Sequence, residues 1–497
     1  MLFNSQIFIF LFLPLALVGW YLINHFKRYN FALAFLGAMS LWFYAYFNVS
    51  YLWIIIGSIV VNYAISFLMD KWKSKYALKV GFYLGLIFNI GILGYYKYFD
   101  FFIENVNAVF QTDFALKHII LPLGISFFTL QQLSYIIDRS WGTAPHYNIV
   151  EYFAYVSFFP QLIAGPIVLH SEIIPQFRDV EKRKFDTTDF ADGVILFSLG
   201  LIKKVLLADT IALVVNKGFD MVYYLDTPAA WLISLCYAVE LYFDFSGYCD
   251  MACGLGKMFR FELPINFRSP FKAYSVPEYW QRWHYTLTRF WQTYIYTPLT
   301  IRGMRKKNKK VKKLYTIMTP IIVFLVSGIW HGASWTFVIW GLCEGIATVW
   351  AQRKFFKLKK SPFTLICTFG FTVFTSAIFR SENWDTFIRM MKAMFIPSFT
   401  KITIELTSVF RDMAEWYALT KIIEIRNVEM LNVVCPIILA FYLLLSFVIL
   451  RGKNAHEILQ AQKQKGYTMT FTIGLVLLTG WAILSLTQVS TFLYFNF

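Results

Sequence analysis

The chain has 497 residues, 58% hydrophobic and 20% aromatic, with a formal net charge of +17. This composition excludes a soluble multi-domain protein and indicates a polytopic membrane protein. The charge sits mostly in short loops, where it sets topology; a second reading adds an anionic partner on the cytoplasmic side, such as a CoA thioester or an acidic carrier protein.

The first apolar run, Gln6 to Ile23, has neither a basic leading region nor a small-residue cleavage site, and reads as an uncleaved first span. The basic residues His25, Lys27 and Arg28 follow it, so the N-terminus is expected outside. Spans near 31–47 and 51–68 form a hairpin. The loop Lys71 to Lys79 is then inside, and a span near 80–96 exits to an acidic segment, Asp100 to Asp113. Two apolar segments follow, 119–137 and 148–168, before an inside loop at Glu181 to Lys184. Only an odd number of crossings fits, so one segment must be re-entrant or broken. Pro160, Gly165 and Pro166 select the second, which predicts non-helical backbone shielded by protein or a cavity.

Spans near 187–213 and 229–247 leave and return, and Lys257 to Lys313 is cytoplasmic. A hairpin of apolar runs, about 314–330 and 335–351, follows, and a span near 362–379 exits. Residues 381–430 form a mixed-charge external segment with room for amphipathic helices. A span near 432–450 returns to the basic loop Arg451 to Lys465, and the last span, near 468–489, places the C-terminus outside. The sum is an all-α polytopic protein of about ten crossings plus re-entrant pieces, without an internal repeat of the transporter kind.

The hairpin carries the main chemical candidate. His331 stands at its tip, in Trp330-His331-Gly332-Ala333-Ser334. Basic clusters flank both arms: Arg302 to Lys313 holds eight Lys/Arg, and Arg353 to Lys360 holds five. With both ends cytoplasmic, the tip lies deep in the membrane, where an ionisable residue is a functional candidate because burying it is costly. At helical spacing Trp280, Trp283, His284, Leu287 and Trp291 share one face, with Arg282 and Arg289 on the other. This predicts one amphipathic helix at the cytoplasmic interface with His284 on its buried face, as a functional group or as a hydrogen-bonded core histidine.

Asp244 and Asp250 close an apolar span. Asp244 is expected to pair with an Arg or to receive backbone donors where the helix breaks at Gly247, and Asp250 to cap the next helix. The six cysteines (236, 249, 253, 343, 367, 435) lack zinc-type pairing, and no metal-ligand spacing, Gly-x-Ser-x-Gly motif or phosphate-binding glycine loop is present. The C-terminal Thr491-Phe492-Leu493-Tyr494-Phe495-Asn496-Phe497 fits an aromatic belt anchor. It equally fits a phenol nucleophile at Tyr494 that needs a base to attack an acyl group.

Several of these segments resemble the membrane-bound O-acyltransferase (MBOAT) family. They are Trp330-His331-Gly332-Ala333, Tyr242-Phe243-Asp244-Phe245-Ser246-Gly247-Tyr248, Arg282-Trp283-His284, Leu121-Pro122-Leu123-Gly124-Ile125-Ser126-Phe127-Phe128 and the run from Ser157 to Pro166. The match is closest to the bacterial alginate O-acetylation branch, whose aromatic tail the C-terminus is also similar to. The resemblance covers nearly the whole chain. It implies tilted helices around a central funnel, in one membrane domain spanning 1–497. Within that domain 1–170 are N-terminal helices, 171–351 a catalytic core and 352–497 C-terminal helices.

By this likeness His331 is the catalytic histidine and His284 the second family histidine. Asp244, Ser246, Trp283, Arg282, Trp330 and Gln132 are candidate substrate-binding residues. The implied donor is acetyl-CoA or an acyl-carrier thioester, with no bound cofactor or metal. The implied partners are a periplasmic or extracellular acetyltransferase of the SGNH type, a polysaccharide acceptor (alginate-like exopolysaccharide or peptidoglycan) and membrane lipids, with no nucleic acid. The setting is the bacterial inner membrane. Two departures bear on donor docking: Thr293 where the family has an acidic residue nearby, and Pro298-Leu299-Thr300-Ile301 in place of a Pro-Leu-Gly-Gly turn.

The expected mechanism moves only the acyl group across the membrane. His331 acts as general base and activates either Tyr494 or an external acceptor. Two alternatives stay open: D-alanyl transfer to teichoic acid by the related branch, and a non-enzymatic channel or transporter.

Overall fold

The computed structural model describes residues 1–72, 74–352, 360–426, 428–487 and 492–493. Every regular element among them is helical. Among the described residues six helices are long and apolar enough to cross a membrane: Phe8–His25, Tyr51–Lys71, Lys75–Phe110, Lys309–His331, Pro362–Arg380 and Glu429–Arg451. Tyr29–Ala45 and Met469–Leu484 are shorter apolar helices. With a hydrocarbon core about 30 Å thick, these lengths make a multi-pass membrane protein.

The helix from Lys75 runs past the expected end near 96, through a π-helical turn at Gly94–Tyr98, to Phe110. Residues 381–430 hold the short helices Trp384–Phe395, Ile402–Thr407 and Tyr417–Arg426. The second basic cluster falls largely at 353–359, outside the described residues.

The region of the odd crossing is broken where expected. Helix Ile149–Ser157 stops at Phe158, whose ψ is 108°, and a single turn Phe159–Leu162 precedes non-helical chain through Leu169. Residues 158–168 are buried throughout, so protein supplies the shielding that unpaired backbone needs. The first of the two segments departs from expectation at its start. Helix Ile125–Trp141 begins only after Pro122 and Gly124, and Gly124 has φ +72°. A Cβ on Gly124 would meet the Leu162 carbonyl oxygen at 2.7 Å, so glycine is what lets the two irregular stretches touch.

At the centre two long helical elements cross. One runs Thr187–Ile202, passes through a π-helical stretch Lys203–Ala208 and continues as Asp209–Asp220. The other, Thr227–Met258, has 32 residues, a length of about 48 Å. It is buried on every side from Cys236 to Gly256, the carboxylates Glu240, Asp244 and Asp250 included. Gly200 and Gly193 meet Gly247 and Gly254, and a Cβ on any of the four would fall within 2.5–2.8 Å of a facing carbonyl oxygen. Small residues let the backbones close to this distance. The helix therefore runs through Gly247 instead of breaking there, because Gly247 serves the crossing. That crossing sets the π-helical lysines Lys203 and Lys204 beside Asp250 and Asp244.

Candidate active site

His331 is the last residue of helix Lys309–His331, and Trp335–Gln352 returns from it, so the expected hairpin places the histidine at its tip. Its side chain is 4% exposed. The rings of Trp330, Phe379 and Trp340 meet the imidazole nearly edge-on at 4.9, 5.2 and 5.4 Å between centroids. A helix C-terminus leaves carbonyls unpaired. Lys97 fills that role: its Nζ donates to the carbonyl oxygens of Trp330 (2.6 Å) and His331 (2.8 Å). A cation there also opposes the negative end of the helix dipole. Lys97 is thus a site residue that sequence reasoning missed. Its signal was a lysine inside an apolar run, disguised by the neighbouring tyrosines.

His284 occupies a different local structure from the one expected. Instead of one amphipathic helix, Val276–Trp280 ends in a turn and a second helix, Tyr285–Trp291, begins. His284 sits between them with φ +44° and ψ +49°. This left-handed corner is fixed by Asn266: its Oδ1 accepts from the Thr286 N–H (3.1 Å) and hydroxyl (2.9 Å) and lies 3.1 Å from His284 Nδ1. The break turns the imidazole inward against Phe245 (4.8 Å) and toward Trp330 (6.4 Å). Trp330 therefore stands between the two histidines, and its indole N–H donates to the Ser126 carbonyl at 3.4 Å.

Two cavities flank the hairpin tip. One, small at about 40 Å³, is lined by His331, Trp280, Trp283, Trp340, Glu344 and Phe379, among others. Glu344 lies midway along its helix, about 14 Å from Trp335, so this cavity reaches from the tip to the middle of the hairpin on the side of the basic loops. Its carboxylate accepts from Trp280 Nε1 at 2.9 Å. The other cavity is larger, about 380 Å³, partly open to solvent, and is lined by Lys97, Gly332, Ser334, Arg380, Glu382 and Leu493, among others. Arg380 ends the helix that leaves the basic face, so this cavity opens on the opposite side. Phe379 borders both cavities. His331 lines the first cavity, and the next residue, Gly332, lines the second.

The remaining candidates divide. Asp244 pairs with Lys204 at 2.5 Å, not with an arginine, and its other oxygen accepts the Leu493 N–H at 3.1 Å. Asp250 does not cap a helix; it pairs with Lys203 at 2.6 Å. Trp283 lines the basic-side cavity. Arg282 does not: it bonds Glu278 at 2.9 Å and the Arg268 carbonyl at 3.3 Å. Ser246 is buried in the central helix and lines neither cavity. Gln132 is a helix-packing residue, donating to Ser58 Oγ (2.8 Å) and accepting from Tyr152 (3.1 Å). Tyr494 lies outside the described residues, although Phe492 and Leu493 just before it are described. A third buried histidine, His170, contacts Tyr147 (2.8 Å) and Asp138 (2.9 Å) but lines neither cavity. No cluster of three or more metal-ligating side chains occurs among the described residues.

The chain is thus an all-helical, multi-pass membrane protein with a buried histidine lining a cavity at the tip of a helical hairpin. Residues 143–379 match the model of the MBOAT, membrane-bound O-acyltransferase family. The chain is 36% identical to a peptidoglycan O-acetyltransferase of Helicobacter pylori, over 100% of this chain and 98% of that protein. It is 37% identical to a probable alginate O-acetylase AlgI of Pseudomonas syringae, over 80% and 75% of the two chains. A teichoic acid D-alanyltransferase of Streptococcus thermophilus is more distant, 26% identical over 47% of this chain and 58% of that one. The chain belongs to the MBOAT family. It is an acyltransferase.

Proposed function

We propose that the protein takes an acetyl group from a cytoplasmic thioester, acetyl-CoA or an acyl-carrier thioester, and delivers it across the bacterial inner membrane for O-acetylation of an extracytoplasmic polysaccharide. The observation that carries this is the hairpin tip set between two cavities, His331 lining one and Gly332 the other. In this reading the basic loops stay cytoplasmic, the donor reaches His331 through the first cavity, and both chain termini lie outside. Peptidoglycan is the acceptor we favour, because the relative matched over nearly its whole length is named for it. An alginate-like exopolysaccharide is the second reading.

His331 accepts the proton of an attacking hydroxyl. The hydroxyl oxygen bonds to the thioester carbonyl carbon, the C–S bond breaks, and the thiolate takes the proton from His331. An acyl group moves outward while a proton moves inward, so no net charge crosses and no coupling ion is needed. Lys97 and Trp330 hold the imidazole in place, and the aromatic walls exclude water that would hydrolyse the thioester. The hydroxyl we assign is Tyr494, supported by Leu493 lining the opposite-face cavity. An SGNH-type transferase then collects the acyl group outside.

The test is isotope transfer in oriented proteoliposomes. Acetyl-labelled thioester supplied on the basic-loop side should label protein or acceptor covalently on the other side, without flux of intact thioester or free acetate, and His331→Ala should abolish it. Flux of free solute with no covalent label would overturn the enzyme reading in favour of a transporter.

A further inference from the structure

The C-terminal tail returns to the central helix. Phe492 is 2% exposed. Its ring stacks on Tyr248 at 4.6 Å and packs on Phe245 at 5.7 Å. Tyr248 in turn stacks on Phe3 at 4.7 Å, and Phe245 meets His284 edge-on. The next residue, Leu493, gives its backbone N–H to Asp244 Oδ2 and lines the cavity that holds Gly332 and Arg380. Asp244 is itself held from the other side by Lys204, which also pairs with Asp209 at 2.7 Å. Lys203, the preceding residue, holds Asp250 at 2.6 Å, and no described tail residue bonds to that pair. The π-helical stretch Lys203–Ala208 supports both pairs, a distortion that is frequent at functional sites.

We propose that Asp244, braced by Lys204, is a positioning residue that docks the tail at Phe492–Leu493 beside the opposite-face cavity. A backbone N–H bonded to a buried carboxylate is a charge-assisted hydrogen bond. It fixes the chain without constraining the side chain of Leu493. On the carrier reading, the pair fixes the chain at the residue immediately before Tyr494. The purpose of the dock rests on the carrier reading above; the dock itself does not.

The experiment uses the full-length protein in lipid nanodiscs, with two readouts. Carboxypeptidase trimming of the C-terminus, followed by mass spectrometry, reads tail docking. The single-turnover rate of acetyl appearance on Tyr494, at varied acetyl-CoA, reads positioning. Asp244→Ala leaves Lys204 its Asp209 partner. It should trim about tenfold faster and acetylate about tenfold slower at saturating donor, with the half-saturating donor concentration unchanged. Asp244→Asn, which keeps an acceptor oxygen, should recover most of both. Leu493→Pro removes the same hydrogen bond from the tail side without touching the core, and should repeat the Asp244→Ala result even if that variant folds poorly. Asp250→Ala breaks the neighbouring ion pair and should stay within twofold on both readouts. Equal effects of Asp250→Ala and Asp244→Ala, or unchanged trimming in Leu493→Pro, would overturn the proposal. Faster trimming in the variants together with no acetyl on wild-type Tyr494 would support the dock and reject the carrier reading.

Discussion

Gly200→Ala probes the helix crossing on which the site is built. Elsewhere in an exposed helix the change would stabilise by about 1 kcal/mol, since glycine is the weaker helix former. Here the new Cβ would lie 2.5 Å from the Gly247 carbonyl oxygen, 2.7 Å from the Met251 nitrogen and 2.8 Å from Met251 Cγ. Two of those atoms are backbone and cannot rotate away. Ordinary contact begins at 3.4 Å, so the helices must part by about 0.9 Å. Overpacking of this kind costs about 1–3 kcal/mol, which against that gain leaves a net loss of about 0–2 kcal/mol. That corresponds to a fall of up to about 2 °C in Tm for a protein of this size, at about 1 °C per kcal/mol. The parting also draws Lys204 from Asp244, so acyl transfer should fall with stability. Tryptophan-fluorescence melting in detergent reads the first effect and thioester turnover the second. Gly370→Ala, whose Cβ meets nothing within 4 Å, is the control and should melt no lower than wild type. Equal melting of the two variants would refute the account of the crossing.

Lys97→Met strips the Trp330 and His331 carbonyls of their donor; it should cost about 1–3 kcal/mol and slow transfer at least tenfold, measured as thioester turnover per folded protein. Asn266→Ala frees the corner at His284 and leaves the Thr286 N–H and hydroxyl without their acceptor. A similar stability loss and reduced turnover are expected, seen by melting and assay together. Tyr467, in the loop before Met469, has its phenol pushed up to about 12 by burial and by the hydrogen bond to Asp192. Its neutral form is the one the fold favours. The stability it contributes is therefore fully present below the ordinary phenol range near 10 and is lost as pH rises toward 12. The Tm difference between wild type and Tyr467→Phe should close over that interval; a difference that persists unchanged above it would contradict the Asp192 contact.

What the sequence shows plainly is what hydropathy and charge determine. The hairpin with His331 at its tip follows from two apolar runs between basic clusters, and the broken segment follows from crossing parity together with Pro160 and Gly165. Contacts between distant segments are less visible. Asp244 finds a lysine some forty residues upstream, because Gly200 and Gly247 close the crossing; read alone, Gly247 suggests a break. Helical spacing from Trp280 to Trp291 is unbroken in the sequence, yet Asn266, a residue on another segment, holds His284 in a left-handed corner and splits the helix. Lys97 and Glu344 sit inside apolar runs as single charges, and only the structure shows the carbonyls and the indole N–H they serve. Gln132 and Arg282, read as substrate contacts from their neighbours in the motifs, are committed to Ser58 and Tyr152 and to Glu278 and Arg268.

The central claim is that His331 drives acyl transfer onto the C-terminal tail. It is tested most directly by incubating purified protein with acetyl-CoA and analysing the C-terminal peptide by mass spectrometry, wild type against His331→Ala. The account predicts a single acetyl on Tyr494 in the wild type and none in the variant. Acetyl on Tyr494 in both would remove His331 from the chemistry, and no adduct in either would return the transfer to a direct acceptor and the tyrosine to the aromatic belt.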